Sequence, residues 1–166
     1  MLAKTARLTA LGLTLCAANA FAAPALVEQR PDVSLTLANQ LIEATLDACH
    51  QDDRTAVVAV VDRGGNLVAL QRDDNVGPHN TLAAQRKAFT SLSTKNTSRA
   101  LSDLARNTPD AENLNTLDEL LLLGGGVPLK VEGHVIGAIG VAGASGAAID
   151  EGCALTAIDK VLPKTL

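Results

Sequence analysis

The side chains able to do chemistry in this chain are few and fall into three groups: histidines, neighbouring cations and glycine turns. His79 follows Pro78 at the start of a helical stretch, where an imidazole can be aimed into a pocket and ligate a metal, or can simply stand on the surface. His50 closes the first helix, where a cation suits the helix dipole, and His134 follows Glu132-Gly133 and reads as a solvent-facing hairpin tip. Arg86 and Lys87 are adjacent basic groups. Arginine would bind a carboxylate through two parallel N–H bonds and lysine as a point charge; the ordinary alternative is a solvated helix face with ion pairs. The turn Gly143-Ala144-Ser145-Gly146 opens the last helix, so its N–H groups could hold a carboxylate or phosphate, although Asp150 and Glu151 already complement that helix end.

Other chemistries lack their residues. Gly124-Gly125-Gly126 is not followed by the Gly-Lys-Ser/Thr of a P-loop, and Ser145 is not in a Gly-x-Ser-x-Gly elbow. Asp52-Asp53 and Asp73-Asp74 are adjacent carboxylates in turn chemistry, where solvation is the ordinary role. Neither Cys49 nor Cys153 has a second ligand at zinc spacing.

These residues need a scaffold. At 166 residues, 47% hydrophobic and 19% charged, the chain suits one globular domain. A net charge of −4 without a basic block, and only Phe21 and Phe89 as aromatics, argue against nucleic acid as a partner. Residues 1–22 read as a signal peptide: Lys4 and Arg7 precede an apolar stretch over 8–18, and Ala20-Phe21-Ala22 supplies a cleavage site after Ala22. The apolar stretch is too short to span a bilayer, so no membrane span is expected in the mature chain. Processing would leave 12 basic and 18 acidic residues in an acidic periplasmic or secreted product. Export permits oxidation, so Cys49 and Cys153 form either a disulfide or two separate buried thiols.

Residues 23–31 read as a flexible lead-in and 32–166 as the single domain. Asp32 or Ser34 caps a helix through His50. Residues 55–61, TAVVAVV, form a strand that turns through Asp62-Arg63-Gly64-Gly65-Asn66 into a second strand over 67–72. Residues 73–106 are helical in two pieces, 107–115 a loop, and 117–123 a short helix or strand. A second hairpin turns at Glu132-Gly133, and a last helix runs to Val161 before Pro163. The pattern predicts an α+β fold: an antiparallel sheet of about five strands, two hairpins plus a short strand, with the N- and C-terminal helices packed on it. Gly137, Gly140 and Gly143 recur every three residues, which predicts bare backbone against which a flat ligand or a sister subunit lies.

Three stretches resemble the GlcG/HbpS family, which includes haem-binding extracellular proteins and is related to the C-terminal domain of the PduO corrinoid adenosyltransferases. They are VVDRGGNLVA at 60–69, AQRKAFT at 84–90, and Gly125-Gly126-Val127-Pro128 continuing through Ile136-Gly137-Ala138-Ile139-Gly140-Val141 to Gly143-Ala144-Ser145-Gly146. The resemblance implies a five-stranded antiparallel sheet and assembly as a homo-oligomer, dimer or larger. It also implies haem or a related tetrapyrrole as a small-molecule ligand. That ligand needs an apolar slot, an axial ligand and donors for two propionates. The candidate ligand-binding residues are His79, Arg86, Lys87, Phe89, Thr90, Gly125, Gly126, Pro128, Gly143 and Ser145, with His79 on the metal because it stands at a helix entrance; of these, the resemblance implies a place near the ligand or interface for Lys87, Phe89 and Thr90. Two other readings stay open, an enzyme degrading haem or acting on a small organic acid, and a ligandless accessory or sensory protein.

Overall fold

The computed structural model describes residues 26–162; the predicted signal peptide and Pro163 lie outside the described residues. The chain divides into Met1–Arg30 and Pro31–Leu166, and the elements below belong to the second unit. Helix α1 spans Leu35–His50 and begins at Ser34, whose hydroxyl accepts from the Leu37 N–H at 3.1 Å. Strands β1 (Val57–Asp62) and β2 (Leu67–Arg72) form the first hairpin, and β3 (Gly126–Val131) and β4 (His134–Ala142) the second. Between them lie α2 (His79–Thr94), α3 (Ser98–Asn107) and a 3-10 helix over Pro109–Thr116; α4 (Ala147–Val161) follows. The 3-10 helix replaces the loop expected at 107–115, its proline entering the first turn where its missing N–H costs nothing.

The sheet has four antiparallel strands in the order β2-β1-β4-β3, not about five. The sequence reading fails at 117–123. Those main-chain groups are taken by side chains of α2: the Leu121 N–H donates to Thr90 Oγ1 at 2.8 Å, and Leu120 accepts from Arg86 Nη2 at 2.7 Å. A segment bound to a helix in this way does not pair as a strand.

Alternation along β1 sets the two layers. Val58 and Val60 join the large core with α1 and α4, whereas Val57, Ala59 and Val61 face α2. A disulfide between Cys49 and Cys153, with Cα atoms 5.4 Å apart, ties α1 to α4 and resolves the two readings of those thiols.

Where α2 crosses β4 the contacts are made by small residues. Ala84 and Ala88 of α2 meet Ala138, Gly140 and Ala142 of β4. A methyl group on Gly140 would stand 2.1 Å from the Ala84 carbonyl oxygen, and one on Gly126 would stand 2.1 Å from that of Lys87. Gly137 is filled from the other side by Val33. The expectation that this ribbon lies bare for a ligand or a second subunit is therefore corrected: the protein's own helix and N-terminal segment cover it. Glycine is needed because backbone meets backbone, closer than any side chain allows.

Candidate functional site

Helix α2 carries two sets of groups on opposite sides. His79, Leu82, Arg86 and Phe89 fall within one narrow arc of the helix and span about 15 Å of its length. His79 and Leu82 are exposed, the latter at 59%, while Arg86 and Phe89 are half-buried. His79 makes no hydrogen bond or ion pair among the described residues.

Leu82, Arg86 and Phe89 of this arc border a groove of 230 Å³, whose other walls include Leu67 of β2, Gly65 of the first turn, and Glu119; His79 lies one turn beyond its lining. The Glu119 wall is positioned by α2 itself through the bonds from Arg86 and Thr90 to Leu120 and Leu121. Arg86 thereby uses Nη2, but its Nε is buried with no partner, so donor capacity remains beside the groove. Phe89 stands against Gly65, where a methyl group would come within 2.7 Å of the ring, and φ there is +82°. Across Phe89 a second hollow of 240 Å³ is lined by Arg63, Leu92 and Val135. Arg63 donates through Nη1 to the Val135 carbonyl at 3.3 Å. Two arginines therefore flank the one aromatic ring among the described residues. Arg63 was read from sequence only as turn chemistry; nothing in its spacing places it beside Phe89.

The remaining predicted residues are not gathered here. Lys87 is buried, its ammonium 2.7 Å from Asp150 Oδ2 and 2.9 Å from the Val141 carbonyl. Asp150 Oδ1 accepts the Ala144 N–H at 2.9 Å. The pair thus locks α2 to the turn that starts α4, and the Lys87 charge is spent inside the protein rather than offered to a ligand. Thr90, Gly125 and Gly126 are buried around it. At Gly125, φ +122°, a methyl group would meet the Val141 oxygen at 2.4 Å and Lys87 Nζ at 3.0 Å. Gly143, φ +106°, packs on Val76 and Asn80. Ser145 is exposed at the start of α4 with φ 74°, and Pro128 lines a separate groove at the β3 edge of the sheet. Glu151, beside Asp150, is buried against Arg99, which donates twice at 3.0 and 2.8 Å; this bond and the opposite charge raise the Arg99 pKa.

A family model described as haem degrading protein HbpS-like matches residues 33–159. The chain belongs to the HbpS-like family. Protein GlcG of Escherichia coli K12 is 33% identical over 109 residues, 66% of this chain and 80% of that protein. A crystal structure of a double mutant of Streptomyces reticuli HbpS is 34% identical, with a TM-score of 0.76 over 90% of this chain and 99% of that one. A crystal structure of a PduOC:heme complex is 26% identical, with a TM-score of 0.71 over 81% and 98% of the two chains. The family resemblance carried by the three sequence stretches is thus correct. Among the described residues no helix is long and apolar enough to cross a membrane, and no three His, Cys, Asp or Glu side chains are grouped for a metal ion.

Proposed function

We propose that this chain is an exported protein that binds haem, or a related tetrapyrrole, along the α2 groove, in an assembly of two or more copies. The observation that carries the proposal is the α2 arc: Leu82, Phe89 and an arginine with a buried unpartnered Nε line one groove, and an unpaired imidazole, His79, stands one turn before Leu82 on the same helix face, outside the lining. The residues fit the group. His79 would ligate the iron, Leu67, Leu82 and Phe89 would form the apolar slot, and Arg86 with Arg63 would donate to propionates. A single histidine suffices because the macrocycle brings four iron ligands of its own. Bound haem would supply a redox-active iron, and the protein's part is to hold and orient it.

The haem ligand of the PduOC structure and the family description support this reading. Groove size supports the assembly: 230 Å³ falls below the roughly 300–1,000 Å³ of sites that enclose a small molecule, so a second copy would cover the face left open. The disulfide supports export, since such bonds persist in oxidising compartments.

Titration with haemin, followed at the Soret band, tests the proposal. A saturable shift is expected, weakened at least about tenfold in His79→Ala and in Arg86→Lys, with Lys130→Gln unchanged. Absence of a saturable shift, or an unaltered one in both variants, would overturn it. Decay of the band with an added reductant would extend the reading from binding to degradation.

A further inference from the structure

A larger concavity, 420 Å³, lies at the opposite edge of the sheet, between β3, the start of α3 and the outer face of α4. Val127, Pro128, Leu155 and Ile158 give it an apolar floor, and Lys95 and Lys130 stand at its rim. Leu155 is 45% exposed. Neither lysine has an acidic partner among the described residues. In a chain of net charge −4, two unpaired ammonium groups beside an apolar floor form a local surface opposite in sign to the whole.

The strand wall of this groove is poor in free donors for an added strand. Gly125 O accepts from the Val141 N–H at 2.9 Å, and the register then turns the main-chain groups of Val127 and Leu129 toward β4 and those of Gly126 and Pro128 away from it. The Gly126 N–H already donates to Ser98 Oγ at 2.8 Å, and Pro128 has none. An added strand would find no donor at either position. What the groove offers is apolar area and two exposed cations.

We infer that this groove binds an amphipathic carboxylate, its acyl chain on Val127, Leu155 and Ile158 and its carboxylate between Lys95 and Lys130. Each buried methylene contributes about 0.8 kcal/mol, so the chain supplies affinity, while the lysines select the anion. This site shares no residue with the 230 Å³ α2 groove; Lys95 also borders the 240 Å³ hollow beside Phe89, whereas Lys130, Leu155 and Ile158 belong to this site alone.

The test is displacement of an environment-sensitive fluorescent fatty acid from the full chain by decanoate; with no Trp or Tyr in the sequence, the protein adds no competing emission. Decanoate is expected to compete, with decanol and acetate at least about tenfold weaker. Lys95→Gln/Lys130→Gln is expected to lose at least about tenfold in decanoate affinity, because it keeps the stems and removes both charges. Both lysines are exposed and unpaired, so the variant should keep the parent urea midpoint, and Arg86→Lys should bind decanoate as the parent does. Equal displacement by decanol, an unchanged double variant, no displacement, or probe uptake only with phosphatidylglycerol vesicles would overturn the inference.

Discussion

Replacing Lys87 by methionine separates a structural ammonium from a ligand-binding one. The Lys87 and Asp150 side chains are 2% and 5% exposed, with 2.7 Å between the charged atoms. Methionine fills the aliphatic path but strands the carboxylate, whose remaining protein bond is the Ala144 N–H at 2.9 Å. Breaking a buried pair from one side costs about 3–5 kcal/mol, a large share of the roughly 5–15 kcal/mol that holds a domain together. At about 3–5 °C per kcal/mol for a domain of this size, the melting temperature should fall by about 10–20 °C. Urea denaturation of Lys87→Met, Asp150→Asn and the double variant provides the assay. Asparagine keeps an oxygen for Ala144, and the double variant buries no charge. It should therefore be more stable than the sum of the single losses allows, by at least about 2 kcal/mol. A loss below about 1 kcal/mol in Lys87→Met, with additive effects in the cycle, would refute the structural role and return Lys87 to the ligand set.

Three further outcomes follow from the packing. Cys49→Ser/Cys153→Ser opens a loop of 104 residues and should lower stability by about 2–5 kcal/mol, read as a lower urea midpoint. Gly140→Ala forces a methyl into the α2 backbone, 2.1 Å from the Ala84 oxygen and 2.5 Å from the Ala88 nitrogen; a loss of at least about 2 kcal/mol is expected by the same assay. Desolvation nudges the Asp62 carboxyl upward, but bonds from the Asn66 side chain and from main-chain N–H groups of the turn outweigh it and hold the pKa below 3.8. The stability this adds is complete above the unfolded pKa of about 3.9 and is lost as pH falls through the lower folded value. Acid titration followed by circular dichroism should show that component in the parent and not in Asp62→Asn.

Much of the scaffold was legible because local signals and tertiary contacts agree. TAVVAVV became β1, Ser34 capped α1, and both Gly-containing turns closed hairpins. The errors sit where a distant group decides. Residues 117–123 look apolar enough for a strand until the Thr90 hydroxyl and Arg86 take their backbone. Lys87 looks like an exposed helix cation until Asp150, 63 residues later, is folded onto it. The glycine repeat was read as open surface, but Ala84 and Ala88, one turn apart, were the signal that a helix lies there: small residues on both partners allow close approach. Of the site, the sequence placed His79 at the start of the helical stretch that carries Arg86 and Phe89, and the observed helix sets the three on one face. Arg63 and Glu119 join them only through tertiary structure.

The location of bound haem tests the central claim most directly. In an isotope-labelled protein with paramagnetic haemin, amide signals of residues 79–89, and of Gly65 and Leu67 opposite them, should broaden beyond detection. Those at 127–130 and 155–158 should survive. Broadening centred on β3 and α4, with α2 untouched, would contradict the α2 groove as the haem site.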